Sequence, residues 1–258
     1  MSLPVEVTLL GVGSSGGTPA LGCPCPTCTS TDPRNRRTRA SAVFRAGGQT
    51  FLIDTGADLR QQSLREQLLH VDAVLYTHPH ADHLHGIDDL RAFCWLQKAP
   101  IPVFGNALLS EHISSRFSYT LLSPNNYWDK PVLQLTEIDD EPFEFAGVTV
   151  TPIPVLHGKW PIQGFRIGNA AYITDVSEIP EASFARLQGL DLLILDCLRE
   201  VPHPTHFGVQ QALDAATRIA ARQTVFIHMT HELEYHALSA RMPAGMQVGY
   251  DGMRLSAD

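Results

Sequence analysis

The chain has 258 residues, 44% hydrophobic and 18% charged, with a formal net charge of −8. That is the composition of an ordinary globule with a large core, not of a disordered or fibrous chain. The negative balance argues against long nucleic acid as a partner; no apolar run is long enough to span a membrane, and the opening MSLPVEVTLLG carries no marks of a secretory signal, so a cytoplasmic location is expected.

Residues 5–10 alternate and are rich in β-branched side chains, which predicts a strand. It runs into the glycine-rich GVGSSGG of residues 11–17. No helical pattern follows, so a dinucleotide-binding turn is a poor reading. Next comes GCPCPTC over 22–28, with three of the five cysteines. Cys23 and Cys25 are too close for an easy disulfide, and a reducing compartment disfavours one. Cys23, Cys25 and Cys28 instead offer three thiolates, one ligand short of a tetrahedral site. The residues alone leave the fourth open among several histidines. Arg34, Arg36, Arg37 and Arg39 read as a solvated basic loop.

Residues 41–45 and 50–53 read as a hairpin across Ala46-Gly47-Gly48. Leu59, Leu64 and Leu68 recur at helical spacing over 57–69, and 71–76 reads as a buried strand. A short helix around 87–97 and a strand over 102–104 lead to a less regular insert, 106–131. Strands are predicted over 132–138, 142–145, 148–154, 164–167 and 171–174. Strand 190–195, helix 209–221, strand 224–227 and helix 233–240 alternate after them. Residues 246–255 read as a strand pair turning at Asp251-Gly252. No linker, repeat or low-complexity tract divides the chain, so one mixed α/β domain over 1–258 is expected.

The strongest signal is Thr77-His78-Pro79-His80-Ala81-Asp82-His83, directly after an apolar strand. Three imidazoles and a carboxylate this dense do not pack as core, because each needs its own polar partner. Imidazole with carboxylate suits zinc, manganese or iron. His78 and His80, two apart, point the same way in an extended segment, while Asp82 and His83 turn to a second position. One loop can therefore serve two adjacent metal sites. Other polar residues stand where predicted strands stop: Asp54, His157, Asp175 and His228.

HPHADH is similar to the H-x-H-x-D-H signature of the metallo-β-lactamase superfamily, and the order His157, Asp175, His228 matches its later ligands. Within it the chain most resembles the phosphoribosyl 1,2-cyclic phosphate phosphodiesterases of the carbon–phosphorus lyase pathway, relatives of ribonuclease Z. The stretches that carry this are GCPCPTC, His203-Pro204-Thr205-His206, IHMTH over 227–231 and VGYDGM over 248–253. The resemblance implies a four-layer αββα sandwich. It implies one divalent metal, zinc or manganese, on His78, His80 and His157, and a second on Asp82, His83 and His228. Asp175 would bridge them and Asp54 would orient a ligand histidine. His231 would complete a structural zinc with Cys23, Cys25 and Cys28.

The implied activity is hydrolysis of a small, often cyclic, phosphodiester or nucleotide by a hydroxide activated between two metals. Asp82 and Asp175 then sit at the chemistry, and His206 is the expected acid for the leaving alkoxide, with His203 the runner-up. Thioesterases and lactonases share these ligands but have less need of that acid, and a non-catalytic cofactor-pathway member would have an altered motif. Transfer RNA is a poor substrate, because the stretch that would correspond to the basic RNA-binding arm of ribonuclease Z, roughly 106–147, carries Arg116 and Lys130 against Glu111, Asp129, Glu137, Asp139, Asp140, Glu141 and Glu144. Tyr119, Tyr127 and Trp128 could stack on a base or sugar, but the favoured reading is packing against a second copy of the chain, as a homodimer.

Overall fold

The computed structural model describes residues 3–122 and 131–258. Two seven-stranded sheets face each other. The first contains β1 (Val5–Gly11), β2 (Ser41–Ala46), β3 (Gln49–Ile53), β4 (Ala73–Leu75), β5 (Ile101–Gly105) and β6 (Leu133–Glu137). The second contains β7 (Phe143–Phe145), β8 (Val148–His157), β9 (Trp160–Ile167), β10 (Ala170–Ile173), β11 (Leu192–Asp196), β12 (Gln223–Ile227) and β13 (Met246–Val248). The last strand, β14 (Arg254–Ala257), returns to the first sheet beside β1. The helices in chain order are α1 (Pro26–Thr29), α2 (Leu59–Glu66), α3 (Ala81–Leu84), α4 (Leu90–Gln97), α5 (Ala107–Arg116), α6 (Glu181–Arg186), α7 (Val209–Ile219) and α8 (Tyr235–Ser239).

Both sheets are part antiparallel, part parallel. β3, β4, β5 and β6 run parallel in one, and β10, β11, β12 and β13 in the other. One core joins the facing sheets through Phe44, Phe51, Phe165 and Tyr172, and continues beneath α6 and α7. A second cluster packs α2, α4 and α5 on the outer face of the first sheet, through Leu59, Leu90, Phe93 and Leu109. Helix, sheet, sheet, helix is therefore the layer order, the αββα sandwich that the resemblance implied. Among the described residues no helix is long and apolar enough to cross a membrane.

Local chemistry explains most elements. The β2–β3 turn places Gly47 and Gly48 at φ +58° and +78°, the left-handed pair that matches strand twist in a two-residue hairpin. Helix α7 buries Val209, Ala212, Ala216 and Ile219, spaced three and four apart on one side.

Four expectations need correction. The insert holds the regular helix α5, started by the Asn106 side chain accepting from the Leu109 N–H. Strand β9 starts at Trp160 rather than 164, because a tight turn pairs His157 with Trp160. The end of the chain is no hairpin: β13 and β14 belong to different sheets. Between them Asp251 accepts hydrogen bonds from the N–H groups of Val12 and Thr38 and from the Thr38 hydroxyl, which holds the crossing. Arg37 is not solvated; it is buried and donates to the carbonyls of Thr230 and Leu233. Tyr127, Trp128, Asp129 and Lys130 lie outside the described residues.

Candidate metal centre

The parallel strands of both sheets deliver polar residues to one edge, at their carboxyl ends, where α/β sheets build ligand sites. Asp54 follows β3, Thr77 and His78 follow β4, Asp175 follows β10, Asp196 ends β11 and His228 follows β12. Asp54, Asp175 and His228 are at φ 60°, 54° and 60°. Non-glycine residues rarely adopt that region, at a cost on the order of 1–3 kcal/mol each, and such residues cluster at functional sites.

The HPHADH loop is fixed against the Asp54 loop by backbone contact. Thr55 N–H donates to His83 O, and Gly86 N–H donates to Thr55 O, both at 2.7 Å. No side chain fits there, since a Cβ on Gly56 would lie 2.1 Å from Asp82 O.

Three groups of ligand atoms result. His78, His80, His157 and Asp175 converge within 4.8 Å of one another, and so do Asp82, His83, Asp175 and His228. Asp175 is common to both, as a bridging carboxylate must be. Its Oδ2 lies 3.7 Å from His78 Nε2, and its Oδ1 lies 3.1 Å from His83 Nε2 and 3.3 Å from His228 Nε2. The third group, Asp196, His206 and His228, adjoins the second.

The orphaned atoms test whether metals fit. The Nε2 atoms of His83 and His228 are buried with no hydrogen-bond partner, although carboxylate oxygens lie within 3.6 Å. Such nitrogens aim at shared space rather than at the oxygens, which suits lone pairs converging on a cation. His78 Nε2 and His80 Nδ1 are 3.0 Å apart. Two nitrogen lone pairs that close need a proton or a cation between them.

The other ring nitrogens are held from behind, as ligand histidines usually are. His83 Nδ1–H donates to Asp54 Oδ2 at 2.8 Å, and His157 Nδ1–H donates to Thr205 O at 2.8 Å. The His78 Nδ1–H reaches Thr77 Oγ1 at 3.0 Å, whose hydroxyl donates to Asp54 Oδ2 at 2.8 Å. One fully buried carboxylate thus orients two histidines. Burial opposes charge on His83 and His228, yet the carboxylates around them win: His83 is held well above the usual range, and His228 is pushed up to about 10, Asp175 leading in both. Burial likewise opposes charge on Asp175, but His228, His83 and His78 hold its carboxyl well below the usual range. Protons here balance charge that divalent cations would balance.

His206 is buried between His157 and His228, its ring stacked on His228 at 4.9 Å. Its Nε2 lies 3.9 Å from Asp175 Oδ2, and its Nδ1 faces Asp196. His203 lies one layer out, bonded to the Thr205 hydroxyl. His85 is outside the ligand groups and meets Phe117 instead.

The sequence reading missed Asp196. Its signal was present: an apolar run, Leu192-Leu193-Ile194-Leu195, stops at a carboxylate, as at Asp54 and Asp175. Asp196 is fully buried and accepts from the N–H groups of Val176 and Phe207.

Apart from this edge, Cys23, Cys25, Cys28 and His231 bring their ligand atoms within 4.8 Å of one another. His231 Nδ1 is 3.3 Å from Cys25 Sγ and 3.5 Å from Cys23 Sγ. The His231 contact, helped by the Cys28 N–H, draws the Cys25 thiol down to about 6, where thiolate prevails. All four donors are protein side chains, the pattern of a closed zinc site.

The beta-lactamase superfamily domain matches residues 49–229. The chain belongs to that superfamily. A crystal structure of a diphosphatase of the PhnP family is 38% identical, with a TM-score of 0.92, and covers 99% of this chain and 98% of that one. Ribonuclease Z of Mycolicibacterium paratuberculosis is 26% identical over 292 residues, covering 98% of this chain and 99% of that protein. An octanoyltransferase of Porphyromonas gingivalis is 37% identical over 254 residues, 97% of this chain. The chain spans only about half, 51%, of that protein's length. Superfamily membership and these ligand clusters together make the protein a metal-dependent hydrolase that uses divalent metals.

Proposed function

We propose that the protein hydrolyses small phosphodiesters, cyclic phosphates or nucleotides among them, at a dinuclear centre of zinc or manganese. His78, His80 and His157 would hold one ion, Asp82, His83 and His228 the other, and Asp175 is the carboxylate common to both groups. The observation that carries this reading is the double convergence of ligand atoms on Asp175 next to a buried histidine with its own carboxylate. The pair of ions, when bound, supplies Lewis acidity that activates water and neutralises phosphoryl oxygens.

The remaining work falls to side chains. His206 directs Nε2 into the centre while Asp196 accepts from Nδ1–H, so the ring in its imidazolium form would present Nε2–H to a departing alkoxide. Asp54 keeps two ligand rings in place. The similarity to a diphosphatase supports cleavage of phosphorus–oxygen bonds in small molecules. We assign Cys23, Cys25, Cys28 and His231 to a structural zinc. A zinc there would tie the segment after the N-terminal glycine-rich loop to His231, three residues beyond the ligand candidate His228.

The test is hydrolysis of bis(p-nitrophenyl) phosphate by zinc- or manganese-loaded protein, set against thioester and lactone substrates. Turnover of the phosphodiester with little turnover of the others is expected. Turnover of thioesters or lactones alone would replace this reading with the thioesterase or lactonase one. Inertness toward all three would favour a non-catalytic role.

A further inference from the structure

Arg37 is one of the largest buried side chains of the protein, only 2% exposed. Its guanidinium bonds to three neutral oxygens rather than to a carboxylate. Nη1–H donates to Thr230 O at 2.9 Å, and Nη2–H donates to Leu233 O at 2.6 Å and Asn35 Oδ1 at 3.4 Å. Burial pulls its pKa down to about 10, against the attraction of Asp251 and Glu234, so it stays charged at neutral pH. A buried cation without a bonded carboxylate is costly, and here every donor it uses goes into holding other parts of the chain.

What it holds is the link between the two ligand clusters. Thr230 and Leu233 open and close a turn, with the Leu233 N–H donating to Thr230 O at 3.3 Å, and His231 lies inside that turn. His228 stands two residues ahead of it at φ 60°, a conformation that persists only where the surroundings fix it. Neighbouring segments grip the stretch between: Met229 N–H donates to Val12 O at 2.9 Å, and Thr230 N–H donates to Leu198 O at 2.8 Å. The backbone of Arg37 is fastened on the other side. Its N–H donates to Thr18 O at 2.7 Å and its carbonyl accepts from Thr18 N–H at 2.9 Å. Two residues on, Ala20 N–H donates to Cys28 Sγ at 3.3 Å. Arg37 therefore joins the stretch entering the cysteine cluster to the turn that brings its histidine. The planar fork reaches two carbonyls at once, which a lysine ammonium does not reproduce.

We propose that Arg37 is a positioning residue for both metal sites. It sets the turn that carries His231 onto the three cysteines and, through the same turn, the place of His228 among the ligands around Asp175. This assignment rests on the metal-site reading above and adds a residue that belongs to neither ligand group. Hydrogen bonds from Arg37 hold the turn with or without zinc, so the two sites can share one segment and still load separately.

The test reads each site separately in cobalt-loaded protein. Thiolate ligands give cobalt an intense charge-transfer absorption, which reports the cysteine site; total cobalt by elemental analysis, less that share, reports the pair. Wild type, R37M, H231A and L109A are titrated with a chelator. Leu109 is a core residue of the outer helix layer, outside both ligand groups, so L109A controls for lost stability alone. R37M is expected to release cobalt from both sites at about tenfold less chelator than the wild type. H231A should lose the thiolate absorption only, and L109A should melt earlier with both release curves unchanged. R37K keeps the charge without the fork and should recover only part of the loss; it takes the place of R37M if that variant does not fold. Wild-type release curves in the Arg37 variant overturn the proposal, as does a loss confined to the cysteine site or one that L109A matches. Wild-type protein that takes up no cobalt at either site overturns the metal-site reading itself, whereas uptake at both with unchanged curves in the variant overturns the role of Arg37 alone.

Discussion

Asp196 Oδ2 lies 3.3 Å from Nδ1 of His206, while its Oδ1 lies 3.4 Å from Nδ1 of the ligand candidate His228. One buried carboxylate therefore faces both the expected acid and the metal-side histidine stacked on it. If His206 protonates the leaving group, its removal must matter most where that group is a poor one. H206A is expected to slow esters with alkyl leaving groups by about 10²–10⁴-fold and p-nitrophenyl esters far less. Equal losses on both, measured as kcat, would remove His206 from that role. D196N should reproduce the same leaving-group dependence more weakly, at about 10–100-fold.

The ligand assignment makes a separate prediction. H80A and D82A each remove a donor from a different cluster. Turnover should fall to background in both, with less bound metal by elemental analysis of the same samples. Metal removal from the wild type by a chelator should do the same, and zinc or manganese should restore it. Full activity in either variant would break the dinuclear assignment.

The cysteine cluster should behave independently. H231A is expected to lose one zinc per chain while the pair at Asp175 stays loaded. Each kcal/mol of lost stability would lower the melting midpoint by roughly 2–4 °C in a chain of this size. Loss of all metal together would show that the sites do not load separately.

Asp251 gives a pH prediction. Burial pushes its carboxyl up to about 6, against the pull of Thr38 and Arg65. A folded pKa above the unfolded one means that the folded state holds the proton longer. Its stability contribution is therefore fully present below about pH 4 and declines as pH rises through 6, by up to about 3 kcal/mol. D251N has no such titration, so the stability difference between wild type and D251N should shrink by this amount from pH 4 to 7. Denaturant melts across that range measure it, and a flat difference would refute the shift.

Much of the centre was legible in order along the chain. HPHADH, and the polar residues stopping apolar runs at 54, 157, 175 and 228, name their chemistry by composition and spacing, because buried imidazoles and carboxylates need partners. The β8–β9 turn, helix α5 and the parting of β13 from β14 were not legible. The first two depend on a tight pairing and a cap that local hydrophobicity does not display, and the third on Asp251 bonding across to Val12 and Thr38.

By itself the sequence determined which ligand types exist, the alternation of strands and helices, and a composition able to bury two apolar faces. Only the tertiary structure decided which ligands meet. Asp175 and His228 are 53 residues apart and share a site because β10 and β12 end on the same edge, one on each side of β11. Asp196 ends that middle strand, so the one carboxylate the sequence reading passed over comes to rest between His206 and His228. Its role follows from parallel strand order and burial, which act across the sheet and leave no local pattern in the chain.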